Sequence, residues 1–365
     1  MRRTGVLVVG VGGRTAQVLI AGTRLMSTGR VGPGYGLTDA GPLSDLDLLE
    51  AKDLAWGGWD TGPISTSVDV ARLALEFGVP PEDLTVGQVL PASRSDLDYE
   101  PSLEESRHDD EVERLAADIE TFRLTQDVQH VVVVNLSNPP RHAEGIVNPR
   151  SRYAEAAVLQ GCDFVEFTPT DTITDQLVAA ARQTGSQLAG RDGSTGQTFL
   201  KLVLAGALTT RGLQINSWYS TNVLGNHDGL VLANPEFAHE KIHDKRLPLE
   251  GRLAGAQENH VVRIDYLPDR DDHKEAWDSV RLTGWLGSSH RLQVNWEGQD
   301  SYLAAPLVLD LVRLLEFGHT RGDSGGLRSE LGPFFKNPLG SRSPYWWDQL
   351  STLTHFYCAS TREGA

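Results

Sequence analysis

The sequence predicts an α/β protein, with a doubly wound parallel sheet joined to an α+β domain that carries a broad sheet. Three observations carry this. Two short runs, Val6–Val9 and the HVVVV of His130–Val134, are β-branched and apolar almost throughout, as strands buried on both faces must be. Helical stretches alternate with strands up to about residue 189. Beyond residue 190 the alternation gives way to strands of mixed character, two of which read as an antiparallel pair across Gly287, Ser288 and Ser289.

The elements follow in order. Val6–Val9 ends at glycines and leads into a helix near Ala16–Leu25. Residues 27–50, rich in Gly, Ser, Asp and Pro, read as a long loop over the nucleotide region. Asp53–Trp56 runs into a second strand that closes at Asp60. Thr66–Phe77 has helical spacing. Pro80, Pro81, Pro91 and the acidic stretch 95–110 read as a surface excursion, and Glu111–Leu124 as a helix. After His130–Val134 come a helix at Ser151–Leu159, a strand at Asp163–Phe167, a helix at Ile173–Ala181 and a short strand at Gln187–Leu188. The second block reads as helix Thr195–Leu208, strands Leu213–Tyr219 and His260–Tyr266, and the pair Val280–Leu286 with His290–Trp296. Ala304–Phe317 is an apolar helix that returns to the first domain, and Gly322–Gly326 reads as flexible. The division expected is 1–189, 190–300 and a returning segment 301–365.

Composition narrows the function. The 365 residues carry a formal charge of −16, which disfavours a nucleic-acid partner or an anionic membrane surface. No apolar stretch approaches the ~18 residues of a membrane span. Two cysteines, Cys162 and Cys358, are too few for a disulfide framework, and a cytoplasmic location is expected. Of the 33 basic residues only six are lysine: Lys52, Lys201, Lys241, Lys245, Lys274 and Lys336. Where arginine is the default cation, a lysine suits a site that needs a titratable point charge, but composition alone favours the simpler reading, codon bias with the lysines scattered at random.

Three motifs suggest chemistry. The first strand runs into Gly10-Val11-Gly12-Gly13-Arg14-Thr15, glycines that let a pyrophosphate approach a helix N-terminus. Thr15 stands where a strict GxGxxG has its third glycine, so a simple tight turn remains the plainer alternative. The acidic residue expected about 20 positions on is absent at that spacing; Asp60, at a strand end where a ribose partner belongs, fits only if the loop 27–50 is an insertion. Next, Gly190-Arg191-Asp192-Gly193-Ser194-Thr195-Gly196-Gln197 opens a helix and reads equally as a phosphate cradle or an N-capped helix start. Finally, Leu224–Gly229 (LGNHDG) precedes Lys241 and Lys245, which share a face if their segment is helical. His239 and His243 have the same spacing; a zinc site there competes with a solvated helix face, and no metal is expected.

Together these stretches resemble the myo-inositol-phosphate synthases, NAD-dependent cyclases. The resemblance rests on DLAWGGWD (53–60), GRDGSTGQT (190–198), LGNHDG (224–229) with the two lysines, DDHKEAWD (271–278), EGQDSYLAAPLVLDL (297–311) and FFKNPL (334–339), which run in the family's order. It implies an NAD-binding Rossmann-like domain and a catalytic, oligomerising α+β domain. It implies Lys241, Lys245, Lys274, Lys336 and Asp192 as catalytic residues. Substrate phosphate would be held by Thr195, Gly196, Gln197, Asn226 and Lys245. The cofactor would be held by Gly10, Gly12, Gly13, Arg14, Thr15, Asp60, Asn135, Ser137, Thr168, Asp228 and Asp300. A homotetramer is implied, and an accessory monovalent or divalent cation is left open. Glu166 and Phe167 stand where many members have Asn and Gly, and His227 where Asn is usual.

The reaction so implied is redox-neutral. A hexose 6-phosphate is oxidised at carbon 5, enolised at carbon 6, closed by an intramolecular aldol step and reduced. Lysine suits it because proton transfer and oxyanion stabilisation are both required. Lys241, with Asp192, is expected to take the proton of the oxidised hydroxyl. Lys274 and Lys336 are expected to stabilise oxyanions, and Lys245 to hold phosphate. Glucose 6-phosphate would give inositol 3-phosphate, whereas fructose 6-phosphate would give a five-membered cyclitol phosphate, as in a carbocyclic natural-product pathway. An ordinary NAD oxidoreductase and a non-catalytic NAD-binding protein are further readings.

Overall fold

The computed structural model describes residues 3–92, 101–137, 151–225, 229–230, 249, 252–254, 257–341 and 343–359. Its first layer is a seven-stranded, all-parallel sheet. The strands are β1 (Thr4–Val9), β2 (Leu54–Asp60), β3 (Gln88–Pro91), β4 (His130–Asn135), β5 (Asp163–Glu166), β6 (Gln187–Gly190) and β11 (Gly326–Leu327), in the order β11-β6-β5-β4-β1-β2-β3. The order reverses between β1 and β4, the place where open α/β sheets bind ligands beyond their strands' carboxyl ends.

Alternation along β1 sends neighbouring side chains to opposite faces. Val6 and Val8 join Val132, Val134, Leu311, Leu315 and Leu353 in one core. Leu7 and Val9 join Val131, Val133, Leu115, Ile119, Ala157 and Leu177 in the other. The first core is closed by α1 (Arg14–Ser27), with α7 (Asp300–Arg321) and α8 (Trp346–Ala359). The second is closed by α3 (Pro101–Gln126), α4 (Ser151–Leu159) and α5 (Asp175–Thr184). The helix α2 (Val68–Phe77) starts at Ser67, whose side chain accepts from the Val70 N–H, a standard N-cap.

The second layer follows α6 (Gly196–Thr210). It is a four-stranded sheet of β7 (Gln214–Leu224), β8 (His260–Tyr266), β9 (His273–Thr283) and β10 (Ser289–Gln299), ordered β10-β9-β7-β8, with β7 and β8 parallel and the other pairs antiparallel. Ala205 of α6 packs on Ile215, Trp218, Val280 and Leu282. The chain then returns: α7 lies against α1, and β11 extends the first sheet beside β6.

Several expectations are corrected. Residues 101–110 belong to helix α3 and not to a surface excursion, because Pro101 starts the helix where its missing N–H costs nothing. Gly322–Gly326 is ordered by pairing: Gly322 caps α7 with φ 79°, and Gly326 pairs with Gln187. The antiparallel pair forms, but β9 begins at His273, so Lys274 lies on a strand. Leu286 is in the turn with φ 55°. β3, β11 and α8 lack a readable local pattern and went unanticipated.

The loop 27–50 is fastened to α7. Asp310 accepts the Leu37 and Thr38 N–H groups at 2.7 and 3.2 Å, and Arg313 pairs with Asp39 at 2.7 Å. No helix among the described residues is long and apolar enough to cross a membrane.

Candidate active site

The glycine turn is shaped by close approach. Gly10 has φ 81°, and its N–H and that of Val11 both donate to the Trp59 carbonyl. The Gly12 N–H donates to Asp60 Oδ2 at 2.7 Å, and a Cβ on Gly12 would sit 2.9 Å from that oxygen. Gly13 is the N-cap of α1, and no side chain among the described residues caps the helix, so its first-turn N–H groups remain for a ligand. A backbone cradle, a bare helix N-terminus and an acidic residue closing the second strand fit a dinucleotide's pyrophosphate and ribose.

Arg14 faces a different task. Its guanidinium pairs with Asp69 and reaches Asp271 through Nη1 and Nη2 at 2.5 and 2.7 Å. The bidentate bond to Asp271 is the largest of the effects that raise the Arg14 pKa above its ordinary value, and the same bond lowers that of Asp271. The first domain's turn is thereby clamped to the segment leading into Lys274. Thr15 Oγ1 lies 3.5 Å from Ser301 Oγ at the start of α7.

At the carboxyl ends of β4 and β5, Asn135 Oδ1 accepts from the N–H and hydroxyl of Ser137 at 3.2 and 2.7 Å. Its amide nitrogen donates to both oxygens of Glu166 at 3.0 Å. Thr168 donates to Glu166 Oε1 through its N–H and its hydroxyl. Burial pushes the Glu166 carboxyl up to about 7, against the opposing pull of these donors. The sequence marked Glu166 only as a departure from the family and gave it no role.

Lys336 reaches Asp192 through main-chain pairing. The segment Phe334–Leu339 lies along Gly190–Ser194: Ser194 N donates to Phe334 O, Lys336 N to Asp192 O and Leu339 N to Gly190 O, at 2.8, 2.7 and 2.8 Å. This sets Lys336 Nζ 2.6 Å from Asp192 Oδ1, with only 13% and 5% of the two side chains exposed. Asp192 Oδ2 is buried and has no partner among the described residues, a free acceptor inside the site. Phe167 backs this loop, and a Cβ on Gly193 would fall 2.1 Å from its ring.

A second pair stands at the other end of the same loop. Lys274 Nζ lies 3.0 Å from Asp300 Oδ2, and Asp300 Oδ1 accepts from Thr195 Oγ1 at 3.1 Å. Thr195 precedes α6, Asp300 begins α7, and Ser301 touches Thr15 of α1. Three helix starts therefore converge; that of α7 is met by Asp272, which accepts from the Ser301 N–H and hydroxyl at 3.3 and 3.0 Å, whereas those of α1 and α6 have no side-chain cap among the described residues.

Gln197 is placed differently from a phosphate-binding side chain. Its amide donates to Asp278 at 2.8 Å and accepts from Asn222 at 2.6 Å, so it faces the second sheet and offers a phosphate only its backbone. Asp278, which sequence reasoning missed, also accepts from Trp218 and Ser220 and anchors the start of α6. Asn226, Asp228, His239, Lys241, His243 and Lys245 lie outside the described residues. No group of three or more His, Cys, Asp or Glu is placed to hold a metal among the described residues.

Fold and site define a Rossmann-like α/β protein with a second sheet, whose two lysine–aspartate pairs flank the loop Asp192–Gly196. Residues 196–301 match the myo-inositol-1-phosphate synthase family model. Inositol-3-phosphate synthase 1 of Bacteroides thetaiotaomicron is 30% identical, across 92% of this chain and 90% of that protein. The crystal structure of inositol-3-phosphate synthase from Caenorhabditis elegans superposes with a TM-score of 0.75 at 21% identity, covering 98% of this chain and 86% of that one. A myo-inositol-1-phosphate synthase-related protein from Thermotoga maritima superposes at 0.74 and 18%, covering 98% and 99%. The chain belongs to the inositol-3-phosphate synthase family, a family of enzymes.

Proposed function

We propose that this chain cyclises glucose 6-phosphate to inositol 3-phosphate with NAD as a recycled cofactor. The observation that carries the proposal is the pair of ammonium groups, Lys336 on Asp192 and Lys274 on Asp300, at the two ends of the loop Asp192–Gly196. NAD would be held by Gly10, Gly12, Gly13 and Asp60, with Asn135, Ser137 and Thr168 at the sheet edge beyond, and supplies a hydride acceptor that is regenerated within each turnover.

The remaining work falls to the chain's own side chains. The N–H groups that start α6, with Thr195 and Gly196, take the substrate phosphate, joined by Asn226 and Lys245. The Lys336 and Lys274 ammonium groups face negative charge as it develops on substrate oxygens, and their aspartates hold them in place without water having to reorganise. Asp192, with Lys241, receives the proton of the hydroxyl that is oxidised. Arginine could supply the charge but not the proton transfer. We extend the reading to a homotetramer built on the second sheet, whose outer strand β10 has exposed side chains; light scattering gives the mass.

The test incubates the protein with NAD and, separately, glucose 6-phosphate or fructose 6-phosphate, and reads the product by mass and NMR and NADH by absorbance. A six-membered cyclitol phosphate from glucose 6-phosphate, with no net NADH, is expected. A five-membered ring from fructose 6-phosphate alone, or stoichiometric NADH, overturns the proposal.

A further inference from the structure

Glu166 has no solvent exposure, and its partners among the described residues are all neutral donors. Oε1 accepts from Asn135 Nδ2 at 3.0 Å, from the Thr168 N–H at 2.9 Å and from Thr168 Oγ1 at 2.6 Å. Oε2 accepts from Asn135 Nδ2 at 3.0 Å and from Thr172 Oγ1 at 2.7 Å. The Thr168 and Thr170 hydroxyls lie 2.7 Å apart, and Thr168 Oγ1 also accepts the Thr170 N–H at 3.2 Å.

The consequence lies one bond further on. The Thr168 carbonyl accepts the Asp192 N–H at 2.9 Å. Asp192 has φ 59°, in the left-handed region, which is uncommon outside glycine although aspartate enters it more readily than most residues. The same residue takes Lys336 twice, the main-chain N–H on its carbonyl at 2.7 Å and the ammonium on Oδ1 at 2.6 Å. A rotation of the Asp192 backbone would carry both contacts with it.

We propose that Glu166 is a positioning residue for the Asp192–Lys336 pair. It locks Thr168 from beneath, and the Thr168 carbonyl in turn holds Asp192 in the left-handed backbone conformation that aims its carboxylate at Lys336. A buried carboxyl group in the sheet edge thereby acts on the ammonium group without touching substrate. The kinetic arm of the test rests on the function proposed above; the structural arm does not.

The structural arm is a crystal structure of Glu166→Ala. The Lys336–Asp192 contact is expected to open beyond ion-pair distance, about 4 Å. An unchanged contact overturns the proposal whatever the substrate is.

The kinetic arm compares Glu166→Ala, Glu166→Gln and Asp192→Asn, singly and combined. Glu166→Ala is expected to lower kcat ~10- to 100-fold with KM little changed, as misplacement by about 1 Å does. Glu166→Gln, which can keep the contacts on Oε1, is expected to recover most of the loss. Asp192→Asn should cost a much smaller factor in the Glu166→Ala background than alone, because both changes disable one unit. Independent, multiplying losses overturn positioning and indicate a purely structural role. If Glu166→Ala does not fold, Glu166→Asp, which withdraws the carboxylate by one methylene, takes its place in the cycle, and wild-type turnover there overturns the proposal. Wild-type turnover in Asp192→Asn counts instead against the reading of the site.

Discussion

Lys336 Nζ lies 2.6 Å from Asp192 Oδ1 across 144 residues of chain, and a main-chain ladder between Gly190–Ser194 and Phe334–Leu339 holds the two together. Because the backbone sets the geometry, each side chain can be changed without dismantling the other. Lys336→Ala is expected to lower kcat by about 10²–10³ with intact folding, the loss typical of one removed oxyanion donor. Lys336→Arg should recover part of it if charge alone is required. Steady-state kinetics with glucose 6-phosphate decides, and wild-type turnover in Lys336→Ala would remove this lysine from the site.

Gly193 is required by the ring above it. A Cβ there would lie 2.1 Å from Phe167 Cζ, an overlap relieved only by moving the ring or the loop. Gly193→Ala is expected to destabilise the fold by about 1–3 kcal/mol in urea unfolding. Adding Phe167→Ala should relieve the overlap and return part of that loss. An unchanged unfolding midpoint for Gly193→Ala contradicts the packing described.

Glu166 should make stability fall with rising pH. Its carboxyl is pushed up to about 7 from an ordinary 4.5, so folding takes up a proton between those values. Its stabilising contribution is complete below the ordinary value and is lost as pH rises through about 7. Asp310, pushed up to about 6 by burial, adds a trend of the same sign. Chemical denaturation at pH 5 and pH 8 should therefore show the wild type losing on the order of 1–3 kcal/mol relative to Glu166→Gln. Parallel pH profiles for the two proteins would refute the assignment.

The glycine turn makes a separate prediction. A Cβ on Gly12 would push against Asp60 Oδ2 at 2.9 Å. Gly12→Ala should raise the Kd for NAD at least about tenfold, a cost of 1.4 kcal/mol, with the fold retained. Titration calorimetry with the cofactor measures it, and unaltered affinity would separate this turn from NAD binding.

Much of the fold could be read locally. The strand His260–Tyr266 and the helix Ser151–Leu159 have the bounds their residues suggest, because hydrophobic periodicity is a property of neighbours in sequence. The elements that went unread depend on distant partners. β11 has two residues and is a strand only because Gln187 and Leu188 lie beside it. Gln197 looked like a phosphate ligand until Asp278 and Asn222, brought up by the second sheet, turned its amide away. Arg14 stood in a cofactor motif, and its guanidinium is spent on Asp69 and Asp271.

The sequence by itself determined the two-sheet architecture, the glycine turn and the sparing use of lysine, since each is written in residue type and short spacing. Only the tertiary structure decided which charges meet. Lys336 finds Asp192, and Lys274 finds Asp300, through strand pairing and the return of the chain after the second sheet. Glu166 becomes a hub because the ends of β4 and β5 close over it. A carboxylate's partners are fixed by three-dimensional proximity and burial, and the cost of leaving it unpaired in a dry interior selects them.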